Sequence, residues 1–208
     1  MQKDDIIRIL DILEETYPEA ECALDHQDVF QLLVCVVLSA QTTDKSVNRI
    51  SPELFAAYPD PKALSEAKQA DVENILHSIG MYKTKAKNII SLAKELVKKY
   101  DGIVPDTYNE LVELPGVGRK TANVVLAEGF GQQQIAVDTH VFRLANRIGL
   151  TAEKDVLKTE LGLQKAIPND RWTLTHHLLI IHGRRCCSAR SPQCQSCPIN
   201  DICEKNGL

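Results

Sequence analysis

The chain has 208 residues, 44% of them apolar, enough for one sizeable core or two smaller ones. No apolar signal segment follows the opening MQKDD, and the longest apolar run, Leu32 to Leu38, falls far short of the ~20 residues that span a bilayer, so a soluble cytoplasmic protein with reduced or metal-bound cysteines is expected. The net charge of −4 argues against a uniformly basic nucleic-acid binder, yet residues 1–75 carry 15 acids and 6 bases while 76–208 carry 13 acids and 18 bases, which leaves room for one positive face.

In chain order, the apolar spacing predicts a helix over Asp4–Thr16, with Ile6, Ile7, Leu10 and Leu13 on one side, and a very apolar one over Val29–Ala40 capped by Asp28. Further helices are predicted at Lys45–Tyr58, Gln69–Ser78, Lys83–Tyr100, Thr107–Glu113, Arg119–Phe130, His140–Ile148, Glu153–Gly162 and Arg171–His182. Pro52, Pro59, Pro61, Pro105 and Pro168 read as starts and stops. No pair of strands joined by a hairpin turn is visible. The expected class is all-α, with about ten short helices.

Three patterns carry chemistry. Near the C-terminus, Cys187, Cys194, Cys197 and Cys203 are spaced x6, x2, x5. Thiolates this close repel one another unless a cation gathers them; zinc and a [4Fe–4S] cluster both accept four sulfurs, and the spacing leans only slightly toward the cluster. Disulfides lose because nothing else suggests secretion, and Cys22 and Cys35 read as ordinary buried thiols. Next is LPGVGRKTA, Leu114 to Ala122. Pro115 and Gly116 turn the chain, Gly118 opens the next helix, and bare amides at that helix start form an anion site. This is a helix–hairpin–helix, which holds DNA by its phosphates without reading sequence; a plain αα-turn is the bland alternative.

The third pattern joins Lys120 to Asp138, in IAVDTHVFR. Lys120 lies in the first turn of the helix after the hairpin, where the dipole disfavours an ammonium and so favours a nucleophilic amine. Asp138 opens the following helix, whose N–H groups would hold its carboxylate ionised. A surface lysine and a simple N-cap are the default readings. From Lys120 the helix advances about 17 Å, and the six residues 132–137 return roughly 20 Å if extended, so amine and carboxylate can meet.

LSAQTTD at 38–44, LPGVGRKTA at 114–122, VDTHVFR at 137–143 and the C-terminal cysteines together resemble the endonuclease III family, in order along essentially the whole chain. The resemblance implies a DNA glycosylase and abasic-site lyase of base-excision repair, acting as a monomer on duplex DNA with a damaged pyrimidine or an abasic site, and associated with the nucleoid. It implies that Cys187, Cys194, Cys197 and Cys203 hold a [4Fe–4S] cluster, with Cys186 a bystander, and that the cluster loop presents Arg184, Arg185 and Arg190 to phosphates. Lys120 then forms a Schiff base with the sugar and Asp138 stabilises its positive charge. Gln41 is placed to fill the gap left by the flipped nucleotide and Met81 to act as a wedge, where a leucine is common. Ser39 and Asp44 line the lesion pocket, His140 lies near it, and Lys83, Lys85 and Lys87 are phosphate contacts or a solvated face. His176, His177 and His182 are expected to be packing or capping residues.

The implied architecture is two lobes, a six-helix domain over residues 22–132 with its hairpin at about 107–130, and a cluster domain made of 1–21 and 133–208, with the cleft between. The departure from the family pattern is charge, since its members are commonly basic. Here the pI is near 5.9, and Ser191 and Gln193 are neutral, which implies a shallower salt dependence of DNA binding. A monofunctional adenine-mismatch glycosylase and a non-catalytic DNA-binding module are the rival readings; Lys120 speaks against the first, and the second stays open to a covalent-trapping test.

Overall fold

In the computed structural model, which describes all residues from Met1 to Leu208, every regular element is helical. The eleven α-helices are α1 Lys3–Thr16, α2 Val29–Leu38, α3 Asp44–Ala57, α4 Pro61–Ser65, α5 Gln69–Leu76, α6 Tyr82–Tyr100, α7 Tyr108–Glu113, α8 Arg119–Phe130, α9 Thr139–Ile148, α10 Val156–Ala166 and α11 Trp172–Arg185. Short 3₁₀ turns lie at Asn169–Arg171 and Cys194–Ser196. The chain divides into two compact units, Ala23–Gln132 and a second assembled from Met1–Cys22 and Gln133–Leu208.

In the first unit, α2 is buried on nearly every side, as its apolar run requires. It packs against α3, α6 and α8. The α2–α8 approach depends on Gly129, where a Cβ would stand 2.9 Å from Val29 Cγ1. Asp28 caps α2 by accepting from the Gln31 amide at 2.8 Å, and Asp60 does the same for Ala63 at the start of α4, a helix that the apolar spacing is too short to announce. Pro52 is not a boundary but lies inside α3; a proline there loses only the bond to the carbonyl four residues back, and Leu54 beyond it is fully buried.

In the second unit, Ile6, Ile9, Leu10 and Leu13 form the buried stripe of α1; Ile9 rather than Ile7 is inside. They pack with Val141, Leu144 and Ile148 of α9 and Leu178 and Leu179 of α11. Arg171 fastens α1 at the surface through Asp11 and Glu14, at 2.5 and 2.7 Å. Helix α10 begins three residues later than expected because Asp155, not Glu153, is the cap; the Glu153 amide is bound by Asn146 Oδ1 at 2.8 Å. Gly162, read from sequence as a stop, lies inside α10 because Thr151 Cγ2 sits 3.0 Å from the position of a Cβ. Helix α11 runs three residues past His182. Cys35 is fully buried as expected, while Cys22 is only half-buried.

Candidate active site and metal centre

The hairpin joins α7 to α8. Gly116 has φ +81, and a Cβ there would press on Asn88 Cβ and Val37 Cγ1, both at 3.2 Å, so conformation and space each demand glycine. Gly118 differs: its φ is −100 and nothing lies within 4 Å of a Cβ. Its value is openness. It is the N-cap of α8 with no side chain covering the first amides, which leaves those donors and the positive end of the dipole available to an anion. Arg119 lies over the Tyr108 ring at 5.2 Å and donates to its hydroxyl at 3.1 Å, clasping the two helices. Lys120, the second residue of α8, is exposed.

Two other turns of this unit stand out. Gln41 follows α2 with φ 53 and is exposed; Met81 precedes α6 with φ 58 and is 59% exposed. Left-handed backbone is unfavourable for both residue types. Seen without its relatives, Met81 reads as a core residue; it is instead a large apolar side chain held out in solvent. Ser39 caps the end of α2, half-buried, its hydroxyl donating to the Val36 carbonyl at 2.8 Å. Asp44 is the first residue of α3, half-buried, with Thr43 as the cap. Lys83 and Lys87 are exposed on α6, but Lys85 is not the phosphate contact or solvated residue it was read as: it is 4% exposed, and its ammonium donates to the Thr42 hydroxyl.

In the other unit, Asp138 is the N-cap of α9, its Oδ1 accepting from the Val141 amide at 2.8 Å. His140 is half-buried, and burial holds its pKa below the ordinary value. Arg143 Nη2 approaches its Nδ1 at 3.3 Å; since a guanidinium can only donate, Nδ1 is the acceptor of a neutral ring. Lys120 and Asp138 are thus carried by different units.

Helix α9 also grips the cysteine segment. Arg147, 8% exposed, donates to Cys187 Sγ at 3.4 Å and to the Ser188 carbonyl at 2.8 Å, and Arg143 donates to the Cys187 carbonyl at 2.9 Å. All seven cysteines are free thiols. Cys187, Cys194, Cys197 and Cys203 line one pocket together with His182 and Cys186. A zinc ion at its usual 2.3 Å bond length would draw four sulfurs to about 3.8 Å of one another. The ligand atoms that do converge within 4.8 Å are those of His182, Cys186 and Cys197. Four thiols arranged around a cavity rather than on one point fit a multi-atom cluster better than a single ion. Burial pushes the Cys197 thiol up to about 11 and raises Cys186 and Cys203. Thiolates therefore form here only where cations compensate them.

Three residues have partners that their sequence reading did not include. His182 is more than packing: it is 1% exposed, bonded to the Tyr17 hydroxyl at 2.9 Å, with its Nε2 3.6 Å from Cys197 Sγ. Cys186, read as a bystander to the four ligands, borders the same pocket. Arg185 is exposed like Arg184 and Arg190 but is paired with Glu19 and lies over the Tyr17 ring at 5.8 Å. Arg143 and Arg147 were missed. Their i, i+4 spacing after Asp138 was the available signal, since it puts two cations on one face of a helix.

Comparison with known proteins returns one consistent result. The HhH-GPD superfamily base excision DNA repair profile matches residues 34–169, and the profile for the iron-sulfur binding domain of endonuclease III matches residues 187–203, beginning and ending on a cysteine. Endonuclease III of Bacillus subtilis (strain 168) is 46% identical over 197 residues, 94% of this chain and 90% of that protein. Endonuclease III of Escherichia coli (strain K12) is 43% identical over 204 residues, 98% of this chain and 97% of that protein. Among solved structures, a trapped endonuclease III–DNA covalent intermediate superposes with a TM-score of 0.93 at 45% identity, covering 99% of this chain and 97% of that one. A thermostable thymine-DNA glycosylase shares the fold at a TM-score of 0.87 and 20% identity, covering 97% of this chain and 96% of that one. The C-terminal segment is an iron–sulfur binding domain, and its cofactor is a [4Fe–4S] cluster.

Proposed function

This chain belongs to the endonuclease III family, and on that premise we propose that it is a bifunctional DNA glycosylase and abasic-site lyase of base-excision repair, acting as a monomer on oxidised pyrimidines in duplex DNA, in the cytoplasm and at the nucleoid. The observation that carries the reading is Lys120, one residue into the helix that follows a bare hairpin turn, in a chain 45% identical to an endonuclease III trapped covalently on DNA.

The damaged nucleotide leaves the stack, because the anomeric carbon of its sugar is unreachable inside a duplex. Gln41 enters the vacated space and Met81 wedges beside it. Both are exposed on left-handed turns that present their side chains outward. The Lys120 nitrogen bonds to the anomeric carbon while the bond to the base breaks, and the departing base leaves with that electron pair and takes up a proton. Ring opening gives a protonated Schiff base. Loss of the proton on the adjacent sugar carbon then expels the 3′-phosphate and cuts the strand. Asp138, oriented by the bond its Oδ1 accepts from the Val141 amide, stabilises the positive charge that grows on the sugar and assists in freeing the Lys120 amine. Ser39 and Asp44 line the lesion pocket, and His140 lies beside Asp138. The Gly116–Gly118 turn and the first amides of α8, with Arg184 and Arg190, hold phosphates.

Cys187, Cys194, Cys197 and Cys203 would ligate the cluster, which when bound supplies a cross-link that fixes the loop. Arg147 and Arg143 hold that loop to α9. Borohydride reduction during incubation with an abasic duplex tests the proposal. A covalent protein–DNA adduct that disappears in Lys120→Ala supports it; no adduct with the unaltered protein excludes the lyase.

A further inference from the structure

Three non-glycine residues of the Ala23–Gln132 unit have left-handed backbone, Gln41, Met81 and Asp101. Asp101 is explained locally, since it ends α6, where such a residue commonly closes a helix. Gln41 and Met81 have no such local reason. Conformations of this kind persist when the surroundings hold them.

One residue touches both turns, the Gln41 turn through its side chain and the Met81 turn through the helix backbone. Lys85, in the first turn of α6, donates its amide hydrogen to the Met81 carbonyl at 3.0 Å and its ammonium to the hydroxyl of Thr42, the residue after Gln41. The Thr42 amide in turn donates to the Ser39 carbonyl at 3.0 Å, closing the Gln41 turn from within. Lys85 is 4% exposed and pairs with no carboxylate, and burial holds its pKa below the ordinary lysine value. A buried ammonium with one side-chain acceptor is costly where a methionine would pack freely. What the charge supplies is direction: it fixes the spacing between two turns 40 residues apart in sequence.

We propose that Lys85 is a positioning residue, linking the Gln41 and Met81 turns so that both side chains are set for insertion at the same step of the duplex before DNA arrives. This deepens the reading above and rests on its assignment of Gln41 and Met81 as the inserted residues. A spacing fixed in the free protein removes an ordering cost from binding, so its loss falls on substrate affinity and not on the chemistry at Lys120.

The test uses the full-length protein and a duplex carrying a tetrahydrofuran abasic analogue opposite 2-aminopurine, whose fluorescence rises when it is unstacked. Lys85→Met and Thr42→Val should each suppress the rise. On a cleavable abasic duplex each should raise KM roughly tenfold, the scale of one charge-assisted hydrogen bond, with kcat kept within about twofold. The double variant should be no worse than either single one, and Thr42→Ser, which keeps the hydroxyl, should match the unaltered protein. Thermal midpoints of the variants should not fall, which separates positioning from loss of fold. Wild-type fluorescence and KM in Lys85→Met would overturn the inference. Gln41→Ala and Met81→Ala serve as controls. If they also leave the signal intact, the insertion reading itself fails and the inference with it; if they abolish the signal while Lys85→Met does not, only the inference fails.

Discussion

The hairpin turn and the cysteine loop are each built to hold a charged partner, and by opposite means. The hairpin uses backbone: one glycine is required by its positive φ, another leaves the helix start uncovered, and no buried side chain supplies the anion site. The cysteine loop has little regular structure beyond one 3₁₀ turn and is held by side chains, above all Arg147 and Arg143 reaching across from α9. A backbone site tolerates exchange of its side chains but not of its glycines. A side-chain site depends on distant residues and on its ligand.

The largest effect should follow from removing that ligand. Cys197→Ser should eliminate the brown colour and the visible charge-transfer absorbance, and should lower the thermal midpoint steeply, because metal binding in such loops is folding energy. Retained colour would break the ligand assignment. Arg147→Met comes next: it leaves the part-buried Ser188 and Ala189 carbonyls without their charged donor and should cost about 1–3 kcal/mol by urea unfolding with the cluster present.

On the hairpin side, the two glycines should separate. Gly116→Ala forces a Cβ against Asn88 and Val37 at φ +81 and should destabilise by about 1–3 kcal/mol. Gly118→Ala, in open space, should cost less than about 1 kcal/mol, while its methyl group on the approach to the α8 amides weakens DNA binding. Equal stability losses in the two variants would contradict the distinction.

The ease with which each site could be read follows the same division. The hairpin was visible because proline and glycine act locally, and the thiols because cysteine spacing is distinctive. Their supports were not. Arg147 meets Ser188 41 residues away and Lys85 meets Thr42 43 residues away, and neither contact leaves a periodic trace. Helix ends failed where tertiary bonds overrode local signals, as at Glu153, whose amide is taken by Asn146, and at Gly162, which serves close packing. Lys120 was singled out by its neighbours in sequence; its exposure on α8 is what a surface lysine would also show.

The smallest effect concerns Tyr17, whose hydroxyl bonds His182 at the edge of the thiol cavity. Burial, reinforced by the nearby cysteines, raises its pKa from 10.0 to about 12. A raised acid pKa stabilises the fold fully below pH 10 and loses that contribution as pH climbs toward 12. Urea unfolding between these limits should show Tyr17→Phe losing less stability with rising pH than the unaltered protein. Parallel curves would place the hydroxyl in water.

Most directly decisive is the single-turnover rate of Asp138→Asn on a duplex with an oxidised pyrimidine. Asparagine caps a helix as well as aspartate does, so α9 and the thermal midpoint should be preserved while only the negative charge is lost. Base excision should fall by roughly 10²-fold or more, the scale of a lost electrostatic or general-base contribution. An unchanged rate in a folded, cluster-containing variant would show that Asp138 only caps its helix and would contradict its proposed part in base excision.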